Sequence, residues 1–100
     1  MFAEKTKSET SLTLNDYQLT EIDVSSHTAL EELWLGNNQL TTIDVSNNTA
    51  LEYLSLGSNR LTEIDVSNNT ALEWLDLRGN PLTQETKNYL DGLGIKELRY

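Results

Sequence analysis

The residues best equipped for chemistry recur at a fixed interval. Asp23, Asp44 and Asp65 stand 21 residues apart, and Glu31, Glu52 and Glu73 keep the same step. Stacked like charges repel by roughly 1 kcal/mol per close pair at the dielectric of water. Such a column needs either hydrogen bonds from nearby serine and threonine hydroxyls or a bound cation. Calcium gathers six to eight oxygens from a curved loop, which a flat column does not provide, so the hydroxyls are the favoured partners. His27 is the single histidine and there is no cysteine. One imidazole supplies neither a triad nor a ligand set, and the missing thiols exclude disulfides, thiolate metal sites and a cysteine nucleophile. The remaining chemistry is that of contact: Trp34, Tyr53 and Trp74 are large, amphipathic side chains of the type that anchors protein interfaces.

The elements that must position these side chains follow from repetition. "DVSNNTALE" occurs at Asp44–Glu52 and again at Asp65–Glu73, with "DVSSHTALE" at Asp23–Glu31. The same period aligns Leu12, Leu33, Leu54 and Leu75, and beside them Leu14, Leu35, Leu56 and Leu77. Each period divides again: "LEELWLGNNQL" and "LTTIDVSNNTA" both read L-x-x-L-x-L-x-x-N, with isoleucine and valine allowed for leucine. In x-L-x-L-x the period of two sends the leucines to one side of a short strand and the intervening residues to the other. One coil cannot cover its own leucines, whereas stacked coils merge them into a common core. Asn38, Asn59 and Asn80 in the first half, and Asn48 and Asn69 in the second, fall where the chain bends. There a side-chain amide satisfies backbone groups that the bend leaves unpaired. The first coil has Tyr17 and His27 in those two slots, so His27 reads as a substitute for a turn asparagine.

This nested pattern resembles the bacterial leucine-rich repeat proteins with a 21-residue repeat and the phrase "LTxIDVSxNTAL", over Leu12 to Leu82. The resemblance implies an α/β repeat solenoid, right-handed, with short parallel strands on the main face. It also implies a binding role, usually toward another protein, and brings no catalytic residue and no cofactor. It is compatible with a secreted or cell-surface origin.

The expected organisation is one domain, 1–100, with a lead-in over 1–11, repeats over 12–82, and a terminal helix and strand over 83–100. At the C-terminus, Pro81 fixes a turn and Thr83 caps a helix over "QETKNYLD". Leu82, Tyr89, Leu90 and Leu93 are spaced to share its buried face, and Gly92 and Gly94 stop it. "IKELRY" then restores the pattern, with Ile95, Leu98 and Tyr100 in the leucine columns, giving about five strands on the main face. Lys96, Glu97 and Arg99 would discourage further strand addition at that edge. At the other end Phe2 is placed to lie over the Leu12 column, and Glu9 stands where a leucine is expected, as in a fragment of a longer parent.

Columns that stay constant hold the coil together, and columns that vary are free to specify a partner. In the second half, read as a second strand, the outward residues hardly change: aspartate, serine and threonine recur. In the first half one outward column runs Thr13, Trp34, Ser55, Asp76, Arg99, and its neighbour runs Glu32, Tyr53, Trp74, Glu97. The expected contact set is therefore Glu32, Trp34, Tyr53, Ser55, Trp74, Asp76 and Arg78, with aromatic anchors and a polar rim of Glu32, Asp76 and Arg78. The formal charge is -9, with no lysine or arginine from Ser8 to Asn59. That field repels phosphate backbones and draws a basic protein or peptide inward. "MFAEKTKSET" lacks the apolar core of a secretory signal, and no apolar run is long enough to insert in a membrane. The function expected is a non-enzymatic protein-binding module, monomeric or weakly self-associating. The alternative is an engineered or truncated scaffold with no selected partner, for which verbatim repeats and compact caps speak.

Overall fold

The computed structural model describes residues 9–100; the Phe2 position and most of the lead-in lie outside them. Five three-residue strands, β1 (Ser11–Thr13), β2 (Glu32–Trp34), β3 (Tyr53–Ser55), β4 (Trp74–Asp76) and β5 (Glu97–Arg99), form one parallel sheet in chain order. One helix, α1 (Gln84–Asp91), precedes β5. Leu12, Leu33, Leu54, Leu75 and Leu98 are in register across all five strands. From Leu12 to Leu75 this column is almost wholly buried, as is the Leu35, Leu56, Leu77 column beside it. Each such side chain contributes about 1.5–3 kcal/mol by leaving water, so the stacked leucines are the main source of stability. The chain forms a solenoid of about four turns.

Asparagine ladders close the bends. Asn38 Oδ1 accepts from the backbone N–H groups of Tyr17 (3.1 Å) and Leu19 (2.9 Å), while its Nδ2 donates to the carbonyls of Leu14 and Leu35. Asn59 and Asn80 repeat the arrangement one and two coils further on. Each amide thus ties its own bend to the one before it. In the second half Asn48 Nδ2 donates to the carbonyls of Val24 and His27, and Asn69 Nδ2 to those of Val45 and Asn48. Their Oδ1 atoms are buried with no hydrogen-bond partner among the described residues.

His27 is buried (1 % exposed) in the Asn48 and Asn69 column, and its backbone carbonyl accepts from Asn48 Nδ2. Tyr17 does not replace its asparagine in the same way: its side chain is 59 % exposed, and only its backbone joins the ladder. The second half-coil also departs from expectation. It carries no strand among the described residues beyond a single bridge position at Asp23. Its backbone groups go instead to tight turns, such as His27 N–H to Val24 O (3.0 Å) and Asn48 N–H to Val45 O (3.0 Å), and to the asparagine amides.

One turn position has left-handed backbone in every coil: Asp16, Asn37, Ser58 and Gly79 have φ of 63°, 54°, 55° and 77°. At Gly79 a Cβ would also stand 3.1–3.2 Å from Ser58. The left-handed backbone alone does not demand glycine, since Asp16, Asn37 and Ser58 adopt it in the other coils; the close approach of Ser58 is what favours glycine at position 79.

The helix has the expected bounds. Thr83 is its N-cap, with Oγ1 accepting from the Thr86 N–H at 3.1 Å. Its buried face is narrower than the spacing suggests, consisting of Thr86 and Leu90, with Leu82 packed against the core from the preceding turn. Tyr89 and Leu93 are exposed (36 and 39 %). Tyr89 lies over the preceding coil, where its hydroxyl accepts from the Val66 N–H at 3.2 Å. Tyr100 also misses the core: it is 45 % exposed, its hydroxyl donates to Asp91 at 2.7 Å, and Lys87 Nζ sits 5.7 Å from its ring centroid. The buried column thus runs only as far as Leu77.

Candidate functional site

The strand ladder sets which outward side chains are neighbours. Glu32, Tyr53, Trp74 and Glu97 are in register, as are Thr13, Trp34, Ser55, Asp76 and Arg99. Adjacent strands lie about 4.8 Å apart. Trp34 and Trp74 are therefore two strands apart and in different columns, yet their ring centroids are 5.5 Å apart with planes tilted by 41°. The rings lean toward each other above β3. Ser55, in line with Trp34, is small enough to leave that space open, and a large residue there would hold the indoles apart. Tyr53 stands beside them and is 38 % exposed, while both tryptophans are half-buried.

Glu32 fixes one side of this cluster, with Oε1 accepting from Trp34 Nε1 at 3.1 Å. Together Glu32, Trp34, Tyr53 and Trp74 line a shallow open depression. At the β4 end, Asp76 is buried (7 % exposed) and held by Arg78: Nε to Oδ1 at 3.0 Å, Nη2 to Oδ2 at 2.8 Å, and the Arg78 backbone N–H to Oδ1 at 3.0 Å. The Arg78 hydrogen bond is the main reason its carboxyl lies below the usual aspartate range. Asp76 thus sits beneath the surface, not in an exposed polar rim, and Arg78 is the group that faces solvent. The structure brings Glu32, Trp34, Tyr53, Ser55 and Trp74 together, with Asp76 and Arg78 as a rigid pair at one margin. Glu97 and Arg99, absent from the expected contact set, extend the same two columns onto β5; the column alignment itself carried that information.

The aspartates of the second half-coil are engaged by serine, as one of the two sequence alternatives requires. Asp44 Oδ1 accepts from the Ser46 N–H (2.9 Å) and hydroxyl (2.6 Å). Asp23 and Asp65 accept from the N–H groups of Ser25 and Ser67. The serine hydroxyl is the leading cause, and the serine N–H the next, of the downward shift in all three carboxyl pKa values. No group of three or more metal-ligating side chains is found among the described residues.

This solenoid geometry coincides with sequence comparison. A leucine rich repeat family model matches residues 30–82 and a second matches 71–96. The chain belongs to the leucine-rich repeat family. Among solved structures, the functional domain of InlJ from Listeria monocytogenes is similar at 38% identity over 78% of this chain, with TM-score 0.75. A leucine-rich repeat protein of Leptospira interrogans is similar at 26% identity over 80% of the chain, with TM-score 0.70. The matches cover 17% and 23% of those two chains. The cysteine ladder of InlJ has no counterpart in a chain without cysteine. No curated protein matches the sequence. Leucine-rich repeats commonly bind proteins, and members of the family are generally non-enzymatic scaffolds. No helix among the described residues is long and apolar enough to cross a membrane.

Proposed function

We propose that the chain is a non-enzymatic protein-binding module whose contact surface is the outward face of the strands, anchored by Trp34, Tyr53 and Trp74. Residues 1–100 act as a single unit in this reading, with the repeats of 12–82 as its body. The observation that carries it is the aromatic cluster itself. Three large rings meet on the one face whose side chains change from coil to coil, and part of each ring remains open to solvent. Aromatic residues so placed supply much contact area at small entropic loss. Glu32 and Arg78 flank the anchors, Ser55 keeps the space between them low, and Asp76 acts through Arg78. The acidic field makes nucleic acid an unfavourable partner and a basic protein a favourable one.

The test compares the wild-type chain with a Trp34→Ala, Tyr53→Ala, Trp74→Ala variant as immobilised bait, followed by titration of each captured protein against both. The expected variant keeps its circular dichroism and melts lower, losing about 1 kcal/mol for the aromatic pair in addition to the burial of its half-buried rings. It should bind its partner at least about tenfold more weakly, in keeping with hot-spot anchors. Equal binding by both proteins would favour the scaffold reading. Concentration-dependent sedimentation of the wild type that the triple substitution removes would make the face a self-contact.

A further inference from the structure

Resting on that reading, we infer that the depression formed by Glu32, Trp34, Tyr53 and Trp74 recognises an arginine side chain of the protein partner. Three aromatic faces and one carboxylate are the chemical composition of a cation site: ring quadrupoles attract a positive group, and a charged acceptor fixes its position. The two indole centroids, 5.5 Å apart, are too close to admit a cation between them. The ligand must lie across the outer faces, and a planar guanidinium stacks there better than a compact, strongly hydrated ammonium.

Glu32 supplies the second half of the recognition. Its Oε1 takes the Trp34 indole N–H, and a carboxylate offers about four lone-pair positions, which leaves capacity for guanidinium N–H donors. The chain's own guanidiniums near this face are tied elsewhere, Arg78 to Asp76 at 2.8 Å and Arg99 to Glu97 at 3.8 Å. Among the described residues no cation lines the depression. The stretch from Ser8 to Asn59 contains acidic residues and no lysine or arginine, so the approach from the β2 and β3 side is attractive to a positive group.

The chain has two tryptophans, so two indole N–H resonances report on the site directly. The ¹⁵N-labelled protein is titrated at low ionic strength with acetyl-Gly-Arg-Gly-amide and with the same peptide carrying citrulline, the neutral isostere of arginine. The arginine peptide is expected to shift both indole resonances saturably, with an affinity about five-fold or more above that of the citrulline peptide. Glu32→Gln keeps an acceptor for the Trp34 N–H and removes only the charge; it should erase most of that preference without altering the melting temperature. Equal responses to the two peptides, or an arginine preference undiminished in Glu32→Gln, would overturn the inference. In that event the triple alanine comparison still decides protein binding by itself. Loss of a partner in the triple variant, together with indifference to the guanidinium, would retain the face and discard the cation.

Discussion

Asn59 and Asn48 occupy equivalent bends of the two half-coils but carry unequal hydrogen-bonding duties. Asn59 is amide donor to Leu35 and Leu56 and acceptor from Leu40, so both ends of its side chain are used. Asn48 donates to two carbonyls, and its Oδ1 is buried without a partner among the described residues. Removing a side chain that satisfies a buried group exposes the desolvation penalty of that group, about 1–3 kcal/mol each. Removing an orphaned oxygen relieves part of such a penalty. Asn59→Ala should therefore destabilise by about 3 kcal/mol and Asn48→Ala by roughly half as much. Urea unfolding of both variants at matched denaturant slope checks the order, and equal losses would mean that the orphaned oxygen of Asn48 carries no penalty. His27 belongs to the same logic: it is legible as structural because its column is an asparagine column, and its burial beside the Asn48 amide follows from that position.

Among the elements, α1 replaces the second half of the fourth coil and closes one end of the core. Thr83 caps it, Thr86 anchors it through a 3.1 Å hydrogen bond to the Thr62 carbonyl, and Leu90 is its one fully buried apolar side chain. Thr83→Ala should lose about 1 kcal/mol, the ordinary value of an N-cap. Leu90→Ala should lose about 2–4 kcal/mol by leaving a cavity at the end of the leucine stack. Thermal melts of the two variants test this ranking, and a Leu90→Ala variant as stable as wild type would show that the helix does not seal the core. The helix bounds were legible because a capping threonine and two glycines bracket "QETKNYLD". The strand register was legible because a constant period carries each leucine onto the next. Four features were not. Tyr89, Leu93 and Tyr100 have apolar spacing yet are exposed, because spacing does not fix which element packs over each side chain. The second half-coil has the strand pattern, yet its backbone groups are spent on turns. The meeting of Trp34 and Trp74 across β3, and the burial of Asp76 beneath Arg78, depend on side-chain torsions that alternation does not specify.

At the scale of the whole molecule, repetition multiplies small electrostatic effects. Asp23, Asp44 and Asp65 are exposed and line up across three coils, and each neighbour's charge raises the carboxyl pKa at Asp44. The hydrogen bonds from Ser46 outweigh that repulsion, and the same order of causes, serine before everything else, holds at Asp23 and Asp65. The net folded-state pKa of each therefore lies below the ordinary value of 3.8. A depressed carboxyl pKa means that the unfolded chain binds the proton first, so the stabilisation is present above the unfolded value and is lost as pH falls through the folded one. The melting temperature should accordingly be flat through neutral pH and fall below about pH 4. Asp76, also shifted downward by its Arg78 partner, contributes in the same direction. Replacing all three column aspartates by asparagine keeps an acceptor for each serine N–H and removes the charge. That variant should melt lower than wild type at neutral pH, and the two curves should converge toward acid while Asp76 preserves part of the slope. Melting curves for the two proteins between pH 2 and 7 decide the matter. A gap that stays constant across the range would assign the effect of the aspartates to turn geometry instead of charge. A variant that melts higher at neutral pH would mean that repulsion along the column exceeds the serine hydrogen bonds.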